Sequence, residues 1–221
     1  MALLHRATLR PTKLELLTTW LPGRPWYRGP AGVEVVSRGA YRFDDPDGEV
    51  GMETMLVAAA DGPVHQVPLT YRAAPLDDAD EWLVGTTEHS ALGRRWVYDA
   101  CADPVYAAAL THAVLSGAGQ AEQYFVIDGR REVRPPAMTI DVDVDVDVDV
   151  DGGGGGGGDV PAVGAVRQVV DEDDTVIVTD AVELVVVRRP VAGVGEVRGV
   201  TLRGSWDGQP TTVPLAYVRT R

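Results

Sequence analysis

One cysteine, one lysine, two phenylalanines and no asparagine occur among the 221 residues. The lone Cys101 leaves no partner for an internal disulfide and no basis for a cysteine metal cluster. No stretch approaches the ~18–20 uninterrupted apolar residues that a membrane helix needs. Arg6, Arg10, Lys13 and Glu15 interrupt what would have to be the apolar core of a secretory signal. The expectation is a cytoplasmic protein with no membrane partner. Basic residues form no stripe, which excludes duplex nucleic acid as the natural partner.

What is present fits a globular chain. An apolar fraction of 45% suffices to bury one sizeable core, or one core plus a small satellite. The net charge of −13 is unevenly spread: residues 139–180 contribute −11 of it. Asp141 to Gly158 is an Asp-Val alternation followed by oligoglycine. Period-two alternation is compatible with a strand whose aspartates stand about 7 Å apart on one solvated face. Oligoglycine loses the most backbone entropy on ordering and reads as a flexible linker. The aspartates lack the turn glycine and closing glutamate of an EF-hand loop, so no calcium site is expected. This reading divides the chain into 1–138, an acidic and glycine-rich linker at 139–162, and a valine-rich β segment at 163–221 that completes the same domain.

Helix and strand signals mix before the linker. Leu14, Leu17 and Leu21 fall at helical spacing over Lys13–Trp20, and Pro22, Gly23 and Pro25 stop the helix. Strands are expected over 33–43, 50–58, 64–72 and 82–89, with a short one at 95–98. Asp44–Gly48 and Asp61-Gly62-Pro63 supply turns between the first three. Asp103 as N-cap and Pro104 at the first helical position open a second helix that closes at Gly117. A strand over 124–127 and valine-rich strands near 165–170, 176–178, 182–188, 200–206 and 212–218 follow, with Asp207-Gly208 as a hairpin turn. The expected fold is α+β: a curved antiparallel sheet packed against two or three helices and interrupted by the flexible Asp-Val/Gly insertion.

Several long stretches carry a family resemblance. HRATLRPTKLELLTTWLPGRPWY, YRFDDPDGEVGMETMLV, VPLTYR and WLVGTTEHSALGRRWVYDACADPVYAAAL resemble the maltokinase N-terminal cap domain of actinobacterial sugar kinases. The resemblance covers residues 2–135, and the Gly-Ser-Trp-Asp-Gly hairpin at 204–208 is read as completing it. It implies a small sheet-and-helix unit that packs on a nucleotide-binding lobe, and a place in α-glucan, trehalose or amino-sugar metabolism. It does not by itself imply activity.

Phosphoryl transfer in kinases of that type needs a His-Gly-Asp loop, a downstream asparagine and a further metal-binding aspartate. Here there is no His-Gly-Asp and no asparagine. The glycine run at 152–158 has no following Lys-Ser/Thr, so it is not a P-loop. Lys13 lies on the first expected helix rather than on a strand under a glycine-rich loop, and residues 139–221 are too few for a catalytic lobe. No catalytic residue, metal or cofactor is therefore assigned. His5, His65, His89 and His112 do not show metal-pair spacing. Neighbours on a strand face opposite ways, so Glu88, His89 and Ser90 cannot form a triad.

Two binding patches remain as candidates. Trp20, Trp26 and Tyr27 cluster around Pro22 and Pro25; they either stack on a sugar or partner, or staple the first helix to the sheet. Glu88, His89, Arg94, Arg95 and Asp99 form the second. Its arginines capture phosphate or sugar phosphate, pair internally with Glu88, Asp99 or Asp103, or form a docking surface for another protein. The functional expectation is a non-catalytic accessory or regulatory protein that docks on a carbohydrate kinase or glucan-metabolising enzyme. The alternatives are a component of an ATP-dependent malto- or glucosamine-type kinase acting with a separate catalytic lobe, and a module binding a small sugar or sugar phosphate.

Overall fold

A computed structural model describes residues 2–3, 7–127, 130–144, 160–191 and 199–219. The chain runs through β1 (Ala2–Leu3), β2 (Leu9–Arg10), α1 (Lys13–Trp20), β3 (Val35–Phe43), β4 (Gly51–Ala59) and β5 (His65–Arg72). It continues through β6 (Leu83–His89), β7 (Gly93–Asp99), α2 (Pro104–Ser116), β8 (Gln123–Ile127), β9 (Arg130–Arg134) and β10 (Met138–Val144). It closes with β11 (Val166–Asp171), β12 (Thr175–Thr179), β13 (Glu183–Val186), β14 (Val200–Trp206) and β15 (Gln209–Arg219).

Local chemistry sets the helix ends. Thr12 caps α1 through a capping box: its hydroxyl accepts from the Glu15 N–H at 3.3 Å, and the Glu15 carboxylate accepts from the Thr12 N–H at 2.6 Å. A single 3₁₀ turn, Leu21–Gly23, ends that segment at the expected proline. Asp103 caps α2 by accepting from the Val105 N–H, and Gly117 closes it in the left-handed region.

Among the described residues the strands assemble into two six-stranded antiparallel sheets and a small three-stranded one, β1-β8-β9. The first large sheet runs β2-β6-β7-β5-β4-β3 and the second β10-β14-β15-β13-β12-β11. The two orders are the same once the strands are numbered from the start of each sheet, so one connectivity is used twice. In the first sheet the link between the opening strand and the next carries α1. In the second sheet the corresponding link contains the Asp-Val/Gly tract, of which residues 145–159 lie outside the described residues.

Strand β4 is buried on both faces, and its alternation separates two cores. Leu56 and Met52 join Tyr41, Phe43, α2 residues Leu110 and Val114, and second-sheet residues Ile177, Leu184, Leu202 and Leu215 in the larger core. Met55 and Val57 face the other way, onto Leu17, Leu21, Trp26, Val67, Leu69 and Val97. Each fully covered leucine contributes about 1.5–3 kcal/mol, so α1 is held mainly by Leu17 and Leu21, both without exposed surface. Gly85 permits its close approach: a Cβ there would stand 2.7 Å from Leu16 Cδ2, at φ +153°.

Gln66 ties the two large sheets together. Its buried amide donates to the carbonyls of Val187 at 3.0 Å and Leu215 at 2.8 Å, while its own oxygen accepts from the Tyr41 hydroxyl. Its backbone N–H donates to Arg188 O at 2.8 Å. These bonds satisfy polar groups that would otherwise be orphaned between sheets.

Two expectations are corrected. The curled antiparallel sheet is present, but the described residues are mostly β, and the two α-helices among them pack into different cores instead of forming one helical layer. Residues 139–144, expected as the start of the linker, belong to β10, which pairs with β14 over seven positions. The Asp-Val alternation is what seats it: Ile140 is buried in the larger core with Val142 packed against it, while Asp141 and Asp143 point outward.

Candidate functional site

The eight residues singled out from the sequence fall into two separate groups. Trp26 and Asp99 belong to a buried junction where the first sheet meets the second. Asp99, the last residue of β7, accepts from Arg188 at 2.6 Å and from the Cys101 N–H at 3.1 Å. Arg188 follows β13; its Nε donates to Thr175 Oγ1 at 2.6 Å, and Asp171 lies 3.7 Å away. The guanidinium sits 4.5 Å from the Trp26 ring centroid, and the Trp26 indole N–H donates to Asp171 at 2.9 Å. Burial works against the charged guanidinium, but Asp99 and Asp171 outweigh it and hold Arg188 protonated. Burial pushes the Cys101 thiol up, well above the ordinary thiol range, so its sulfur is protonated and unreactive.

Trp20 and Tyr27 flank this junction and are half-buried. Trp20 packs on Trp26 with centroids 6.0 Å apart and lies under Arg24, and Tyr27 stacks on His65 at 4.8 Å. Trp26 has no exposed surface, so the aromatics staple the α1 segment to the sheet. His65 Nε2 accepts from the Arg28 N–H; burial, with the charges of Arg189 and Arg28, holds its pKa down at about 4. The ring is neutral near pH 7.

Glu88, His89, Arg94 and Arg95 lie at the β6–β7 hairpin. Arg94 and Asp99 stand at opposite ends of β7, about 17 Å apart at the rise of an extended chain. Glu88 and Arg94 form an exposed cross-strand pair at 2.8 Å, a contact of little energetic weight. His89 Nδ1 accepts from the N–H groups of Ala91 and Leu92 and closes the turn. Arg95 is half-buried beside Thr87 and donates to the Arg94 carbonyl. The acid that pairs bidentately with an arginine is Asp103, and its partner is Arg72, with both bonds at 2.7 Å.

A third constellation was not visible in the sequence. Glu53 of β4 is nearly buried and takes up Lys13 Nζ at 2.5 Å, Arg42 at 3.3 Å and the Tyr71 hydroxyl at 3.1 Å. Burial pushes the Glu53 carboxyl up, but the charges of Arg42 and Lys13 and the bonds from Lys13 and Tyr71 prevail and bring it to about 2. Of this group, Lys13 and Glu53 line a cleft of about 470 Å³ beside the start of α1. A larger cleft of about 800 Å³ runs along the alanine-rich side of α2, with Asp44, Asp47 and Glu122 among its lining residues. Among the described residues no three His, Cys, Asp or Glu side chains gather as metal ligands.

Residues 20–103 match the family described as the maltokinase N-terminal cap domain. The chain contains a maltokinase N-terminal cap-like domain. It begins at the last residue of α1, takes in β3 to β7 and ends on Asp103, the cap of α2. The match is narrower than the resemblance read from the sequence, which extended over 2–135. The 204–208 hairpin, read as completing the cap-like domain, belongs to the second sheet and lies outside the matched residues. No curated protein matches the chain.

Proposed function

We propose that this chain is a non-catalytic accessory or regulatory protein of α-glucan, trehalose or amino-sugar metabolism, docking on a carbohydrate kinase. The observation that carries this reading is the cap-domain match over residues 20–103. A cap acts by packing on a neighbouring lobe, so a docking surface is required.

The β8–β9 ribbon supplies one. Tyr124 pairs with Val133 and Val126 with Arg131, which puts all four side chains on one face. Val126 and Val133 are each 55% exposed, and Arg131 lies over the Tyr124 ring at 4.2 Å. An exposed apolar face edged by arginine suits a protein partner with apolar and acidic residues.

The test is sedimentation of the chain mixed with a maltokinase whose own cap has been removed. A stoichiometric complex that Val126→Asp and Val133→Asp both weaken, with unchanged melting temperatures, is the expected result. Independent sedimentation of the two proteins contradicts the proposal.

A further inference from the structure

We propose that the cleft along α2 is a groove for an arginine-bearing amphipathic helix of a partner protein. Its walls are largely apolar, with Phe43, Val105, Ala108, Ala109 and Val163 among the lining residues. Val105, Ala108, Ala109 and His112 follow one another at i, i+3, i+4 and i+7, so they form one stripe along α2. Packed helices lie about 8–10 Å apart depending on the side chains between them, and alanine at two positions of the stripe allows a close approach. The volume of about 800 Å³ is in the range of ligand-holding clefts.

Charge decides which kind of helix fits. Asp44, Asp45, Asp47 and Glu122 line the cleft, and among the described residues no lysine or arginine does. None of these acids belongs to residues 139–180, which carry most of the chain's negative charge. Asp45 is occupied within its turn, where its carboxylate accepts from the N–H groups of Asp47, Glu49 and Val50. That fixes the turn bearing Asp47, which is exposed. The Ala121 N–H donates to the Arg42 carbonyl at 2.8 Å, which holds the exposed Glu122 beside the strand end leading into the same turn. Gln120, also in the lining, donates its amide N–H to the Met138 carbonyl at 2.7 Å, and its buried oxygen has no hydrogen-bond partner among the described residues. The cleft therefore offers acceptors without basic side chains, next to an apolar stripe.

A helix with an apolar face and flanking arginines meets both features at once, as helix-in-groove recognition requires. Its apolar side chains cover the α2 stripe, and its guanidinium groups, which only donate, serve Asp47, Glu122 and the Gln120 oxygen. A small amine would use the acids and leave the stripe wet. The cleft shares no lining residue with the β8–β9 ribbon, so its occupant is independent of the partner proposed for that ribbon.

Isothermal titration of the intact chain with synthetic peptides tests the assignment. The probe is a capped peptide of about 15 residues, long enough to hold a helix, with leucine along one face and arginine on its flanks. It is expected to bind with a Kd on the order of 10 µM, and more weakly with added sodium chloride, as screening demands. A version with glutamate for arginine, and a scrambled peptide of the same composition, should bind at least about tenfold more weakly. Asp47→Asn and Glu122→Gln, both exposed changes that keep the melting temperature, should each weaken binding about threefold, the loss of an exposed ion pair. Ala108→Arg fills the stripe and should weaken it at least about tenfold, whereas Asp77→Asn, outside the cleft, should leave it unchanged. Absence of binding, equal affinity for the scrambled peptide, or an Asp47→Asn/Glu122→Gln protein that binds as the parent does would each overturn the proposal. Self-association of the chain that Ala108→Arg abolishes would also overturn it, because the cleft would then belong to a second copy.

Discussion

Arg188 and Asp99 meet at 2.6 Å with neither side chain exposed to solvent, and the pair spans the boundary between the two large sheets. Taking two charges out of water is costly, and the cost is recovered only while both partners are present. Arg188→Met strands Asp99 and should destabilise the protein by about 3–5 kcal/mol in urea denaturation. The double variant Arg188→Met/Asp99→Asn should recover much of that loss. A single variant within about 1 kcal/mol of the parent would show that the pair does not hold the sheets together.

Glu53 makes the fold sensitive to acid. Its carboxyl titrates at about 2 in the folded chain, against an ordinary value of 4.5. A depressed folded pKa gives stability that is complete above the unfolded value and lost as pH falls through the folded one. Stability should therefore decline between about pH 5 and pH 2. Glu53→Gln should lower stability at pH 7 and flatten that part of the profile. Equal acid sensitivity in parent and variant, followed by circular dichroism, would contradict the assignment.

The first Asp-Val units are structural. Ile140 is 7% exposed and Asp141 is exposed on the opposite face of β10. Ile140→Ala should cost about 2–4 kcal/mol, whereas Asp141→Ala should stay within about 0.5 kcal/mol of the parent. Thermal melts distinguish the two, and equal small effects would remove β10 from the core.

The parts legible in the sequence are those written locally. Leu14, Leu17 and Leu21 with Pro22 marked α1; Asp103, Pro104 and Gly117 bounded α2; Asp61-Gly62 and Asp207-Gly208 placed two turns. Asp141 and Val142 read alike as linker or strand, because the alternation is the same in both, and only pairing with β14 decides. Lys13 and Glu53 are forty positions apart, so nothing local announces their contact. Arg188 beside Arg189 carries no local sign of burial, because Asp99 of β7 and Trp26, which cover it, are distant in sequence. Of the candidate residues, Trp26 and Asp99 kept an internal role because internal pairing satisfied them first.

The proposed role has the chain act through a partner enzyme and not by its own chemistry. Its most direct test is ATP-dependent maltose phosphorylation by a cap-deleted maltokinase lobe, measured with and without this chain and with the chain alone. No turnover by the chain alone and a changed kcat/KM when it is added to the lobe are expected, the latter effect lost with Val126→Asp. Phosphoryl transfer by the chain alone, or a lobe whose kinetics ignore its presence, would contradict it.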